Sequence, residues 1–153
     1  MEKKEIDIWR DTPVRLLGYA NECGESFRFI YPRLVIPSYM VAIGYTFCDC
    51  FDKGHKAYKL EGKKVTKNVA ITSFDALLWQ LLASVAIPGF IINRLVHSTE
   101  YFVKVKFPAG GKIGPVPIRF IPTIIGLGCI PFIVEPIDHF VDLSMDKSIR
   151  KLY

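Results

Sequence analysis

The longest apolar stretch of the chain, Asn68 to Asn93, holds three side chains that could do chemistry inside a membrane: the carboxyl of Asp75 and the amides of Gln80 and Asn93. Polar groups at such positions are costly to bury and often mark the path of a substrate or ion. A small transporter or channel using Asp75 and Gln80 is therefore one reading. A structural role competes with it: Asp75 closes a capping box with Thr72, Gln80 supplies an interhelical hydrogen bond, and Asn93 marks the interfacial end of the helix beside Arg94.

A second group is basic. Lys53, Lys56, Lys59, Lys63, Lys64 and Lys67 share their segment with a single acid, Glu61. Beside an apolar run, such a segment suits anionic lipid headgroups or a partner protein. Nucleic acid is not expected, because Tyr58 is the one aromatic residue interleaved with the lysines.

The other candidates dissolve on geometry. Cys48, Asp49, Cys50, Asp52 and His55 invite a metal, but cysteines one residue apart point about 200° apart on a helix, so no metal site is expected. The four cysteines, Cys23, Cys48, Cys50 and Cys129, have no CxxC spacing and read as buried, inert thiols. Asp138, Asp142 and Asp146 line one helix face with Arg150, too far apart along consecutive turns to hold one cation. They suit a solvated face or the arginines of the first helix. His139 points about 100° away from Asp138, and His55 and His97 stand alone. With no nucleophile elbow, phosphate loop or zinc signature, no catalytic residue and no cofactor is expected.

These groups must be positioned by an unusually apolar chain of 153 residues, half of them hydrophobic, 23% charged, with a net charge of +5. Ala76 to Asn93 is an uncharged run of 18 residues, about 27 Å of helix against a hydrocarbon core of about 30 Å. Leu34 to Cys48 and Phe120 to Val134 are uncharged runs of 15 residues, too short to persuade alone but credible spans beside the first. The expected fold is all-α: a single multi-pass membrane domain over 1–153 with about three bent transmembrane helices, near 34–51, 73–94 and 120–135. An N-terminal amphipathic helix near 13–31 and a C-terminal one near 137–152 complete it.

Thr12 as N-cap and Pro13 at the first position start the N-terminal helix, with Leu16, Ala20, Cys23, Phe27 and Ile30 on its packing face and Arg15, Glu22, Glu25 and Arg28 opposite. Pro88, which cannot donate to the Ser84 carbonyl, predicts a kink. Gly44, Ala83, Gly89, Gly126 and Gly128 allow close helix approach. Segments 53–67 and 108–117 read as loops. With three spans, the N-terminus shares a side with the 94–119 connection. Lys and Arg divide almost evenly between the two sides, so charge sets no orientation. The start, MEKKEIDIWRD, lacks the apolar core of a cleavable leader.

Several long strings resemble the mitochondrial fission process protein family: WRDTPVRLLGYANECGESFR from Trp9, DKG at Asp52, WQLLASVAIPGFIINR from Trp79, PIDHFVDL from Pro136, and the terminal SIRKLY. The connections at 55–68 and 98–119 resemble it only loosely. The resemblance implies a multi-pass protein of the mitochondrial inner membrane, imported by internal signals, that acts in organelle division and inner-membrane integrity, with apoptosis among the processes it touches. It implies no catalytic residues. The expected partners are inner-membrane lipids, cardiolipin among them, and other inner-membrane proteins, either as a scaffold or as an accessory subunit of a larger complex.

Overall fold

The computed structural model describes residues 7–152, so the charged start of the chain at 1–6 lies outside the described residues. The fold is helical. Helix α1 (Ile8–Asp11), a 3-10 segment (Pro13–Tyr19) and α2 (Ala20–Ser26) precede three long helices. These are α3 (Val35–Leu60), the continuous stretch Lys67–Lys106 and α6 (Ile121–Lys147). Each contains a segment long and apolar enough to cross a membrane by length and composition. The middle stretch comprises α4 (Lys67–Gln80), a π-helical turn (Leu81–Ala86) and α5 (Ile87–Lys106).

The helices overrun the apolar runs that announce them. The middle helix starts at Thr66, whose hydroxyl accepts from Val69 N at 3.4 Å, so Thr72 and Asp75 sit inside α4 rather than forming its cap. Its 40 residues make about 60 Å, twice the thickness of the hydrocarbon core, so the expected end at Asn93 falls well short. Helix α3 continues through Lys53, Lys56 and Lys59 to Leu60, so the expected loop at 53–67 reduces to a short turn. Gly62 and Lys63, with φ of 66° and 61°, close that turn, and Lys63 N donates to Tyr58 O at 3.0 Å.

The expected third span and C-terminal helix are one helix. Pro131 and Pro136 lie within α6 on exposed positions. At Pro88 the helix widens instead of simply kinking: Ile87 N bonds to Leu82 O, the i to i+5 spacing of a π turn. The 108–117 loop contains a small antiparallel ladder, β1 (Lys112–Ile113) with β2 (Val116–Pro117).

The N-terminal segment departs most from expectation. Residues 13–26 are a 3-10 helix followed by a short α-helix, not one amphipathic helix, although Thr12 caps Pro13 as expected, accepting from Val14 N at 3.3 Å. Its facing is inverted. Leu16 and Cys23 are exposed, while Asn21, Glu22, Glu25 and Ser26 are buried between the long helices. The segment threads the bundle from end to end. Asp7 lies 3.3 Å from Lys53, and Trp9 Nε1 donates to Asp52 at 3.1 Å, which places the start of the described chain at the lysine-turn end. Phe29 stacks edge-on against His97 at the opposite end, 5.0 Å between centroids. The expected placement of the N-terminus beside the 94–119 connection is thereby corrected.

Trp79, Ala83, Ile137, Val141 and Met145 form an apolar core where the middle helix meets α6. Elsewhere large apolar side chains such as Ile36, Met40, Phe47, Phe90 and Phe132 point outward, a surface suited to lipid.

Candidate functional site

The polar groups collect in two interior networks, a third that is partly exposed, and one exposed turn. Small residues make the first network possible. A Cβ on Gly126 would lie 2.6 Å from Ser26 Oγ, and one on Gly89 would lie 2.9 Å from Asn21 Nδ2, so glycine at these positions lets α2 sit close to α5 and α6. Gly44 and Gly128, expected in the same role, face open space.

In this network Glu25, 2% exposed, accepts from Arg28 Nε at 2.6 Å, Arg28 Nη2 at 2.7 Å, Asn93 Nδ2 at 2.9 Å and Tyr39 Oη at 3.0 Å. The donors on Arg28, Asn93 and Tyr39 offset the cost of burying its charge. Asn21 Nδ2 donates to Val85 O at 3.1 Å, a carbonyl within the π turn. Glu22, one turn before Glu25, is fully buried, and among the described residues neither carboxyl oxygen has a hydrogen-bond partner. Asn93 is thus no interfacial helix end; it pins α2 to α5.

The second network centres on Gln80. Its Nε2 donates to Asp49 Oδ2 at 2.6 Å, and its Oε1 accepts from Ser84 Oγ at 2.6 Å. Lys53 Nζ lies 3.0 Å from the buried Asp49 carboxylate. Gln80 therefore joins the middle helix to α3.

Asp75 belongs to the third. It receives Arg150 Nε and Nη2 at 2.8 Å each, while Arg150 Nη1 reaches Asp146 at 2.7 Å. Trp79 Nε1 donates to Asp142 at 2.8 Å, and Asp138 is paired with Arg15. The acidic stripe of α6 thus meets Arg15 of the N-terminal segment and Arg150 just beyond the helix. Asp75, Gln80 and Asn93 are not brought together; each anchors a different helix contact. Among the described residues no group of three or more His, Cys, Asp or Glu is placed to hold a metal. The thiols are not uniformly buried, since Cys23 and Cys48 are exposed.

The lysines divide. Lys53 pairs with Asp49 and Asp7, and Lys56 pairs with Asp52 at 3.0 Å, both on α3. Lys59, Lys63, Lys64 and Lys67 are exposed around the turn, next to Leu60 at 88% and Val65 at 83% exposure. The interior roles of Asn21, Glu22 and Glu25 were missed from the sequence. The signal was present in Gly18, Gly24 and Ser26, small residues interspersed with them that allow this face to be the buried one.

The fold and its polar groups define a class: three long apolar helices holding a short polar segment among them. No family model matches the chain, and no solved structure matches it. Curated relatives do. The chain is 46% identical to a zebrafish (Danio rerio) protein named Mitochondrial fission process protein 1 over 154 residues, 98% of this chain and 90% of that protein. Relatives of the same name from Caenorhabditis elegans and Homo sapiens are 45% and 43% identical, covering 96% and 97% of this chain and 89% of each. The chain belongs to the mitochondrial fission process protein family.

Proposed function

We propose that this chain is a multi-pass protein of the mitochondrial inner membrane that promotes mitochondrial division and supports inner-membrane integrity as a scaffold, without catalysis. Family membership supports the role in division. The three long apolar helices support the membrane placement. The observation that carries the scaffold reading is the exposed turn, where Lys59, Lys63, Lys64 and Lys67 surround Leu60 and Val65. Basic side chains flanking projecting apolar ones are what an anionic lipid surface attracts, each lysine contributing about 1 kcal/mol near such a surface. Cardiolipin fits that chemistry, and the outward apolar faces of α3 and α6 leave room for partner membrane proteins.

Replacing the four exposed lysines by glutamine tests it. Native mass spectrometry of the purified chain would count bound cardiolipin, and re-expression in cells depleted of the protein would read out division. The expected result is several-fold less bound cardiolipin and failure to restore division. Unchanged cardiolipin binding overturns the lipid part, and restored division overturns the role of the turn.

A further inference from the structure

Two buried carboxyls one turn apart on α2 are accommodated in opposite ways. Glu25 is surrounded by donors from Arg28, Tyr39 and Asn93. Glu22, wholly shielded between the long helices, has no partner on either oxygen. An ionised carboxylate without donors in such a place is very unfavourable, whereas the neutral acid is tolerable. The groups around it do not supply the missing charge. Within the N-terminal segment, Arg15 is engaged by Asp138 of α6 and by Tyr19. On its own helix stand Cys23 and the already paired Glu25; Arg28 beyond it is committed to Glu25. Helix α3 contributes Tyr39, whose hydroxyl donates to Glu25, and α5 contributes the uncharged amide of Asn93. With no second carboxylate converging on Glu22, the ligand that fits is a proton rather than a metal cation.

We propose that Glu22 is a proton-binding site that latches the N-terminal segment between the three long helices, and that losing this proton loosens residues 20–26. At this level the segment is also held by Asn21 on the Val85 carbonyl, by Glu25 on Asn93 and Tyr39, and by the close approaches of Gly24 to Ser38 and of Ser26 to Gly126.

The direction of the pH effect follows from linkage. A solvated glutamate titrates near 4.3. Below about pH 4.3 both states hold the proton and the latch is fully engaged. Above it the released segment loses its proton first, so opening grows by up to about tenfold per pH unit for as long as the buried carboxyl keeps its proton, and levels off once both states are ionised.

Hydrogen exchange of the full chain in nanodiscs, corrected for intrinsic exchange, reads this on the 20–26 peptide, with the α5 peptide as internal reference. Wild type is expected to lose protection progressively as pH rises from 6 to 9. Glu22→Gln, which mimics the neutral acid, is expected to remain protected with no such slope. An equal slope in both proteins overturns the proposal. Infrared difference spectroscopy of wild type supplies a second reading that needs no variant: a protonated-carboxyl band should be present at pH 6 and decline as pH rises further. Its absence at pH 6 also overturns the proposal.

Discussion

Arg150 donates two hydrogen bonds to Asp75, both at 2.8 Å, across 75 residues of sequence. This fork fastens the turn after α6 to the third turn of the middle helix, at the end of the bundle where Asp7 and Lys53 also meet. It gives Asp75 a structural task and fixes which helix ends lie together.

Both side chains are about a quarter exposed, so the pair contributes modestly. Asp75→Asn should lower stability by about 1 kcal/mol, as should Arg150→Gln, with the double variant little worse than either single one. Thermal unfolding in detergent measures this cycle. Additive losses would mean that the two residues act independently.

Glu25 supports a larger prediction. Glu25→Ala leaves the donors of Asn93 and Tyr39 without their acceptor, while Arg28, 34% exposed, turns to solvent, so the variant should cost about 2–3 kcal/mol. Asn93→Ala leaves Arg28 and Tyr39 in place and should cost about 1 kcal/mol.

Helix closeness is tested at Gly126. A methyl there meets Ser26 Oγ at 2.6 Å and Val96 Cγ2 at 2.9 Å, so Gly126→Ala should destabilise by about 1–3 kcal/mol. Adding Ser26→Ala removes one of the two obstacles and should recover part of the loss. No recovery would place the strain elsewhere.

The three long helices were legible in the sequence because uncharged runs of this length have few other uses. Their ends were not, because helix propensity and capping continue past the apolar run: α3 keeps its geometry through Lys53, Lys56 and Lys59, and Thr66 rather than Thr72 starts α4. Pro136 read as a break, but a proline whose ring points away from the bundle is tolerated within a long helix of this kind. The N-terminal facing failed for two reasons. A 3-10 segment turns every three residues, which rotates the following α-helix away from an α-helical projection. A bundle with an apolar exterior also reverses the usual rule, turning Leu16 outward and Glu25 inward. Of the candidate site residues, the lysine cluster was visible by composition, but the pairing that sets Lys53 and Lys56 apart from the other four needed Asp49, Asp7 and Asp52 to be located in space.

The measurement that bears most directly on the account is side-specific labelling in mitoplasts of single cysteines placed at Ile8, Lys63, Ala109 and Ser148 on a cysteine-free background. If three long helices cross the membrane and the N-terminal segment threads back through them, the labels at 8, 63 and 148 react on one side and the label at 109 on the other. A label at 8 that reacts with the one at 109 contradicts the threaded segment, and labels at 63 and 109 on the same side contradict the crossing of the middle helix.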